Sequence, residues 1–268
     1  MRVFITGASD GIGKETARQL SRQGHSIVMI GRDNGKSRSA HAEIQAGAES
    51  EVELLTADLS DMKSVKTLAE QLITNFSDVK VLINNAAVIR TERILTSDNF
   101  EETLAVNYLS HFLLTHKLLD ILKRNAPSRI INVSSMVHES GSIDFEDLQS
   151  SRSYNPSRTY AQSKVAMVLF TRELHRRYFK DGISSNALHP GVISTKLLHV
   201  LFSGGSSIEK GAETPVYLAS STEVEGISVK YFVNKQEAHS RFLEEGENQA
   251  RRLWEISEEL LSQYIQPA

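Results

Sequence analysis

The stretch TGASDGIGKETARQL, from Thr6 to Leu20, follows a β-branched run at the start of the chain. Gly7, Gly11 and Gly13 fall where this strand would turn into a helix. Glycine allows a tight turn and lets backbone N–H groups approach a phosphate closely, and the new helix adds the positive end of its dipole. The stretch therefore predicts a dinucleotide-binding turn, although its G-x-x-x-G-x-G spacing differs from the common G-x-G-x-x-G.

Two other motifs overlap this turn. GASDG matches G-x-S-x-G, the nucleophile elbow of hydrolases, with Ser9 as the nucleophile. That elbow follows a strand in the middle of a sheet, whereas here the motif follows the first strand, so the hydrolase hypothesis is the weaker one. A P-loop nearly fits but fails, because Ala8 replaces its first glycine and Glu15 replaces the Ser or Thr that would hold magnesium.

Short β-branched runs alternate with longer helical patterns along the whole chain. Predicted strands are Arg2–Thr6, Ser26–Ile30, Val52–Leu55, Lys80–Asn84, Arg129–Val133, Ser184–Leu188 and Val229–Phe232. Predicted helices are Gly13–Gln23, Ser37–Gln45, Met62–Phe76, Asn99–Lys123, Ser157–Lys180, Glu209–Ala219 and Asn248–Tyr264. Strands separated by helices imply βαβ units and a parallel sheet that is covered on both faces. Because no repeat, low-complexity tract or linker interrupts the pattern, we predict one α/β domain over residues 1–268.

The composition is that of an ordinary soluble globular protein, since the 268 residues are 40% hydrophobic and 24% charged. A net charge of −3, without a basic block, gives no electrostatic reason to expect nucleic acid as a partner. The chain has no cysteine, which excludes disulfides and suits a reducing compartment, so we expect a cytoplasmic protein. We expect neither a signal peptide nor a membrane helix, because no apolar run approaches about 20 residues.

A second informative stretch is SYNPSRTYAQSKVA, from Ser153 to Ala166, which holds Tyr160 and Lys164 four residues apart. Side chains at this spacing share one helix face. A phenol has a pKa of about 10, and a lysine cation beside it favours the phenolate and lowers that pKa. The pair therefore suits proton transfer near neutral pH. Alone the spacing is weak evidence, because any long helix can carry it by chance.

Six motifs in order make the chain resemble the short-chain dehydrogenase/reductase family over essentially its whole length. They are TGASDGIG (Thr6–Gly13), NNAA (Asn84–Ala87), Asn107, INVSS (Ile131–Ser135), YAQSK (Tyr160–Lys164) and HPGVISTKL (His189–Leu197). The segments IDFEDLQ and KYF…RRLWEISEELL further resemble its retinol-dehydrogenase-like branch. Members of that branch often carry a membrane anchor before the first strand, and we expect none here. The resemblance implies a doubly wound, Rossmann-type sheet of about seven strands, with the nucleotide across its switch point.

The resemblance also implies a catalytic tetrad of Asn107, Ser135, Tyr160 and Lys164. Tyr160 would exchange a proton with the substrate oxygen, and Ser135 would hold that oxygen by a hydrogen bond. Lys164 would lower the tyrosine pKa and bind the nicotinamide ribose, and Asn107 would order a water that relays protons to bulk solvent. Ser134 is the rival for the serine role, because adjacent strand side chains face opposite sides. The spacing in the retinol-dehydrogenase-like branch points to Ser135.

The end of the second strand bears on the choice between the two nicotinamide cofactors. NAD sites usually place an acid there for the ribose 2′-OH, whereas an arginine accommodates a 2′-phosphate. In IVMIGRDNGK, Gly31 stands where NAD-using relatives carry the acid and Arg32 follows it, so we predict NADP(H). Asp33 qualifies this prediction as a nearby acid, and Asp10 qualifies it because it occupies a turn position where many NADP-using relatives have Lys or Arg. Lys14 is a candidate to compensate.

The family pattern implies a larger set of cofactor-binding residues. Asp58 and Leu59 would contact the adenine, and Asn85 and Ala86 would line the adenosine ribose. The remaining members are Gly7, Ser9, Asp10, Gly11, Ile12, Gly13, Arg32, Tyr160, Lys164, Pro190, Gly191, Ile193 and Thr195. The last two would hold the carboxamide of the cofactor. The nine histidines show no H-E-x-x-H spacing, so we expect no metal site.

Two stretches break the alternation of strands and helices, and we predict them as substrate loops around 136–156 and 194–210. The first is long and polar, and the second joins the apolar run Leu197–Phe202 to a Gly/Ser turn, like a mobile cover. The apolar run hints at a lipophilic substrate such as a retinoid, a steroid or a long-chain aldehyde. An apolar loop is as easily a packing or dimer surface.

The leading hypothesis is an NADP(H)-dependent oxidoreductase that interconverts an alcohol and the matching aldehyde or ketone. The alternative is a non-catalytic NADP(H)-binding sensor or scaffold protein, since a fold does not fix a function. Proteins of that kind typically lose the tyrosine or the lysine, and this chain keeps both. Family members often assemble through two long mid-chain helices, here Asn99–Lys123 and Ser157–Lys180, so we also consider a homodimer or homotetramer.

Overall fold

Eight strands form one sheet in the computed structural model, which describes residues 1–195, 200 and 204–265. The strands are β1 (Arg2–Thr6), β2 (Ser26–Gly31), β3 (Val52–Thr56), β4 (Val79–Asn84), β5 (Ser128–Val133), β6 (Ile183–His189), β7 (Tyr231–Val233) and β8 (Gln236–Ala238). Their order is β3-β2-β1-β4-β5-β6-β7-β8, and every neighbouring pair is parallel except β7 with β8. The predicted doubly wound parallel sheet is confirmed, and the antiparallel β8 is the strand that the prediction lacked.

The helices alternate with the strands, as predicted. They are α1 (Gly11–Arg22), α2 (Gly35–Gln45), α3 (Met62–Asn75), α4 (Glu102–Leu104), α5 (Ser110–Arg124), α6 (Pro156–Tyr178), α7 (Ile208–Ser220), α8 (Arg241–Glu244), α9 (Glu247–Leu260) and α10 (Ser262–Ile265). The predicted terminal helix is thus divided into α9 and α10. Within the described ranges, no helix is both long enough and apolar enough to cross a bilayer.

The strands send their side chains into two separate apolar layers. In β1, Val3 and Ile5 join one hydrophobic cluster and Phe4 joins the other, because successive side chains of a strand point to opposite faces. Helices α1, α2 and α7 contribute to the first layer. Helices α3, α5 and α6 contribute to the second, together with α9, which packs on α5 and α6.

A π-helical turn, Ala105–Leu109, joins α4 to α5. The sequence predicted a single helix from Asn99, but Asn99 has a φ of 62°, a left-handed conformation that a helix does not continue. Glu101 instead caps the start of α4 by accepting two N–H groups of the first turn at 2.9 and 2.7 Å. π turns inside helices frequently mark functional sites, and this one carries Asn107.

The order of the strands fixes where a ligand can bind. After β3 the chain crosses β1 and continues with β4 on its other side, so the direction of strand addition reverses between β1 and β4. At such a switch point the loops leave the sheet in opposite directions and open a crevice at the carboxyl ends of the strands. The segments that begin at Gly7 and Asn85 follow β1 and β4, and they line this crevice.

The two predicted substrate loops are described to different extents. Segment 136–156 begins with a 3₁₀ turn, Met136–Ser140, and buries Asp147, Leu148 and Ser150, so much of it packs against the body of the protein. The apolar run Leu197–Phe202 lies outside the described residues apart from Val200. The expectation of a mobile cover at 194–210 therefore stays a prediction.

Candidate active site

The glycine-rich turn between β1 and α1 has a shape that side chains would fill. Gly7 and Gly11 have φ angles of +67° and +50°, which favour glycine. A Cβ atom on Gly13 would overlap the Gly7 carbonyl oxygen and Nδ2 of Asn85. The first turn of α1 starts here, where backbone N–H groups have no partner within the helix. This cradle fits a dinucleotide phosphate.

The hydroxyl of Thr6 ties the end of β1 to the end of β4. Its oxygen accepts the N–H groups of Asn85 at 2.9 Å and Ala86 at 3.1 Å. The side-chain amide of Asn85 returns a bond to the Thr6 carbonyl at 2.8 Å. The predicted ribose-binding pair, Asn85 and Ala86, is thus held against the glycine-rich turn.

A cavity of about 630 Å³ connects this turn to Tyr160. The predicted site residues that line it are Gly7, Ser9, Asp10, Gly11, Ile12, Gly13, Arg32, Asp58, Leu59, Asn85, Ala86, Tyr160, Lys164, Pro190 and Thr195. Asn107, Ser135, Gly191 and Ile193 are not among its lining residues. Ile193 is 3% exposed and pairs with Ser206 in an isolated bridge, so it supports the segment after β6 from within.

Tyr160 and Lys164 lie on consecutive turns of α6, and Ser135 follows β5. The Ser135 hydroxyl lies near the Tyr160 phenol and lowers its pKa. Lys164 Nζ donates to the Val133 carbonyl at 2.9 Å and lies 5.5 Å from the centre of the Tyr160 ring. The structure therefore brings three members of the predicted tetrad together.

The charges of this pair differ from the sequence-based expectation. We expected Lys164 to lower the tyrosine pKa, but burial raises the pKa of Tyr160, and the nearby Ser135 hydroxyl opposes that change. Burial also lowers the pKa of Lys164 to about 7, because the side chain is only 2% exposed. In this structure the phenol is neutral at pH 7, and the lysine amine is poised between its two forms.

The two candidate serines have different partners. The Ser134 hydroxyl donates to the Lys164 carbonyl oxygen at 2.9 Å, which ties it to the backbone of α6. The Ser135 hydroxyl accepts the Val137 N–H at 3.5 Å and lies near the phenol instead. This geometry favours Ser135 over Ser134 as the residue beside Tyr160, although Ser134 lines the cavity.

Asn107 is fully buried in the π turn and uses its whole side-chain amide on protein groups. Its Oδ1 accepts the Val88 N–H at 2.7 Å, and its Nδ2 donates to the Val88 carbonyl at 3.0 Å and to Ser163 Oγ at 3.0 Å. Asn107 therefore clamps the segment after β4 from both sides. Its predicted role in ordering a water stays a prediction.

The charged groups near the end of β2 pair in a way that the sequence did not reveal. Lys36 lines the cavity and pairs with Asp10, so among the described residues it is a cation that offsets this acid. Lys14 pairs with the exposed Glu43, and its proposed compensation for Asp10 stays a prediction. Sequence reasoning missed Lys36 because its contact with Asp10 spans 26 residues.

Asp33, the other acid that qualified the cofactor prediction, pairs with Arg38 on α2. Arg32 is exposed and forms no ion pair within the described part of the chain. Its guanidinium is therefore available to a ligand in the cavity that it lines.

A second pair that sequence reasoning missed lines the cavity beyond Val88. Arg90 donates to Glu102 with two guanidinium nitrogens, Nε at 2.7 Å. The Tyr154 hydroxyl donates to the Arg90 carbonyl at 2.9 Å. Nothing in the spacing of these residues along the chain signals their contact.

Within the described ranges, no group of three His, Asp or Glu side chains could hold a metal ion.

Comparison with known proteins agrees with this geometry. The family model for short chain dehydrogenases matches residues 1–204. Retinol dehydrogenase 12 from Bos taurus is 43% identical over 270 residues, which cover 97% of this chain and 85% of that protein. Retinol dehydrogenase 13 from Homo sapiens is 42% identical over 277 residues, which cover 97% and 84%.

Solved structures show the same architecture. The crystal structure of an uncharacterised protein from Mycobacterium Paratuberculosis matches with a TM-score of 0.81 at 33% identity and covers 97% of this chain and 93% of that one. A sequence match over three quarters of the chain and a shared fold over nearly all of it lead to one assignment. The chain belongs to the short-chain dehydrogenase/reductase family, in its retinol-dehydrogenase-like branch, and is an oxidoreductase that acts on CH–OH groups.

Proposed function

We propose that this protein is an NADP(H)-dependent oxidoreductase that interconverts a lipophilic alcohol and the matching aldehyde or ketone, with Tyr160 as acid and base. The observation that carries the proposal is one cavity with the glycine-rich turn and Arg32 at one end and Tyr160 with Lys164 at the other. When bound, the nicotinamide would supply or accept the hydride. The chain's own residues would hold the nucleotide and move the proton.

Tyr160 suits the role of proton donor in carbonyl reduction. Burial keeps its phenol neutral at pH 7, and a neutral phenol has the proton that a reduced carbonyl oxygen needs. The Ser135 hydroxyl, which lies near the phenol, would share a substrate oxygen with it. Alcohol oxidation needs the phenolate, which burial disfavours at neutral pH.

Lys164 suits the role of proton relay behind Tyr160. Its pKa of about 7 lets the amine take up or release a proton near neutral pH with little free-energy change. The Val133 carbonyl accepts one of its N–H bonds at 2.9 Å and fixes its position. Asn107 would support the same site by holding Val88 at the cavity wall.

The preference for NADP(H) rests on the charges at the end of β2. Arg32 lines the cavity without a carboxylate partner in the described part of the chain, whereas Asp33 is tied to Arg38. Lys36 neutralises Asp10, the one acid on the glycine-rich turn that would repel a 2′-phosphate. A guanidinium pairs well with phosphate oxygens, so Arg32 is the residue we assign to the 2′-phosphate.

The cofactor preference is tested by titrating NADPH and NADH against wild type and Arg32→Ala. We expect wild type to bind NADPH at least about tenfold more tightly than NADH, and the variant to lose most of that ratio. Arg22→Ala is the control, because Arg22 is exposed at the end of α1 and does not line the cavity. Equal affinities for both cofactors, or an unchanged ratio in Arg32→Ala, would refute the NADP(H) preference.

The substrate proposal rests on the names of the relatives and on the wall of the cavity. The two relatives compared above are named retinol dehydrogenases. Val88, Ile89, Val106 and Val200 give this wall an apolar lining. A long apolar aldehyde such as retinal is therefore the first substrate to test.

The test of turnover follows NADPH oxidation against retinal, steroid ketones and long-chain aldehydes. We expect turnover with wild type and its loss in Tyr160→Phe, which removes the proton donor and keeps the ring. Tyr160→Phe should still bind NADPH, which separates a lost reaction from a lost fold. If wild type binds NADPH but reduces none of these compounds, the proposed substrate class is refuted.

A further inference from the structure

His111 is a buried histidine next to the site that the mechanism above does not use. It lies in the first turn of α5 and is 1% exposed. Its Nδ1 lies 3.1 Å from the main-chain carbonyl oxygen of Asn107. Its Nε2 lies 3.0 Å from the Thr6 hydroxyl oxygen. One ring thus bridges the π turn and the first residue before the glycine-rich turn.

The partners of His111 fix its tautomer. A carbonyl oxygen only accepts, so Nδ1 must carry the proton that it donates to Asn107. Burial lowers the pKa of His111 to about 3, so the ring is neutral at working pH and Nε2 is an acceptor. The Thr6 hydroxyl therefore donates to Nε2 at 3.0 Å, in preference to the Ile83 carbonyl oxygen at 3.4 Å.

This assignment satisfies every hydrogen-bonding capacity of the Thr6 hydroxyl. Its single proton goes to His111, and its oxygen accepts the N–H groups of Asn85 and Ala86 at 2.9 and 3.1 Å. A hydroxyl has one donor and two acceptor positions, so all three are in use. Thr6 is fully buried, so no water is needed to complete the set.

The bonds form one directed chain from the π turn to the nucleotide cradle. The Asn107 carbonyl accepts from His111, which accepts from Thr6, which accepts from the backbone of Asn85 and Ala86. At the other end, Asn107 clamps Val88 with its side-chain amide. Buried chains of this kind strengthen each member and hold a single geometry.

We propose that His111 is a positioning residue that couples the nucleotide cradle to the π turn of Asn107 through a separate hydrogen bond at each ring nitrogen. The inference rests on the proposed function only because its test requires a protein that binds nucleotide and turns over a substrate. It holds equally for NADPH and NADH. The Nε2 bond holds the backbone of the nucleotide cradle in position, and the Nδ1 bond holds the π turn of Asn107 in position.

Two amide variants separate the two bonds. In His111→Asn the amide N–H occupies the place of Nδ1 and keeps the bond to Asn107, while the acceptor for Thr6 is lost. In His111→Gln the amide oxygen reaches the place of Nε2 and keeps the Thr6 bond, while the donor to Asn107 is lost. A buried polar group left without its partner changes an equilibrium or a rate by about 5- to 100-fold.

The expected result is a reciprocal pattern in two measurements. By fluorescence titration, His111→Asn should bind the nucleotide at least about fivefold more weakly, while its kcat at saturating nucleotide stays within about twofold of wild type. His111→Gln should bind the nucleotide like wild type but lose at least about fivefold in kcat. Lost stability alone would lower neither value selectively.

His116→Gln is the matched control, because His116 lies on the same helix and contacts Phe112 and Trp254 away from the cavity. It should leave nucleotide affinity and kcat unchanged. Thr6 provides a second route if the His111 variants fold poorly. Thr6→Val should weaken nucleotide binding as His111→Asn does, and Thr6→Ser, which keeps the hydroxyl, should restore it.

Equal effects of His111→Asn and His111→Gln on both measurements, or no effect of either, would overturn the proposal and leave His111 as packing. An inactive wild type that still binds nucleotide would instead count against the proposed function. In that case the nucleotide titrations of the His111 and Thr6 variants still decide the Nε2 bond.

Discussion

Lys164 is buried, and burial destabilises its charged form. Burial lowers its pKa from the ordinary 10.5 to about 7, so the folded protein binds this proton less tightly than the unfolded chain does. Below about pH 7 the lysine is charged in both states, and folding bears the whole cost of burying the charge. Between pH 7 and 10.5 the cost shrinks as the pH rises, and above 10.5 it vanishes. In the proposed mechanism, the residue that relays the proton thus lowers the stability of the folded protein.

We expect Lys164→Met to raise the Tm of the nucleotide-free protein while abolishing turnover. Relief of about 2 kcal/mol would raise the Tm by roughly 4–8 °C at pH 6.5. The gain should be smaller at pH 9.5, because wild type no longer bears the full cost there. Scanning calorimetry at the two pH values measures it, with the exposed Lys63→Met as a control that should show no such pH dependence. A gain that grows with pH would contradict the assignment.

At the scale of elements, the strand–turn–helix unit β1–α1 depends on the absence of a Cβ atom at Gly13. Gly13 has no left-handed φ, so its need for glycine is steric: the Gly7 carbonyl oxygen and the Asn85 amide occupy the space that a Cβ atom would need. A methyl group there must displace backbone. The cradle and the packing of α1 against β1 are therefore one structural feature.

Gly13→Ala should weaken nucleotide binding at least about tenfold and cost about 1–3 kcal/mol of stability, because a methyl group is forced against backbone. Nucleotide titration and thermal unfolding measure the two effects. Gly35→Ala is the control: it opens α2, meets nothing within 4 Å, and has no left-handed φ. That variant should bind nucleotide like wild type and be equally or slightly more stable. Wild-type affinity in Gly13→Ala would show that the turn adapts.

The elements that the sequence predicted well are those whose pattern is local. β1, β4 and β5 are buried parallel strands and appear as apolar runs. β8 could not be found this way, because Gln236–Ala238 is exposed and becomes a strand through its pairing with β7. The π turn at Ala105–Leu109 could not be found from the spacing of apolar residues either. It occurs together with the hydrogen bonds between Asn107 and Val88, which that spacing does not show.

The residues of the candidate site were likewise predicted where their pattern is local and missed where it is not. Residues in compact motifs, such as Tyr160 and Lys164, were predicted and line the cavity. The contact between Thr6 and His111 spans 105 residues, so it exists only once the sheet and α5 have packed. Nor could the sequence give the charge state of Tyr160, because spacing shows a nearby lysine and not the burial that outweighs it.

At the scale of the whole molecule, α9 occupies the apolar faces of α5 and α6. Trp254 of α9 packs on Phe112 at 4.8 Å and on Phe170 at 5.9 Å between ring centres. The Tyr108 hydroxyl, in the π turn before α5, bonds to Ser257 of α9 at 2.8 Å. The sequence suggested these faces for contact between copies. The structure gives them a partner within the same chain.

We therefore expect the protein to be a monomer at micromolar concentration, because a second copy would have to displace α9 to reach those faces. Trp254 is 2% exposed, and burying an aromatic side chain of this size contributes about 3–5 kcal/mol, so displacement is unfavourable. Light scattering on a sizing column should give the mass of one chain between about 1 and 50 μM, with or without nucleotide. A dimer or tetramer mass would contradict this expectation. It would then require either an interface on another surface or the release of α9, and protection of Tyr108 and Trp254 from solvent labelling would distinguish the two.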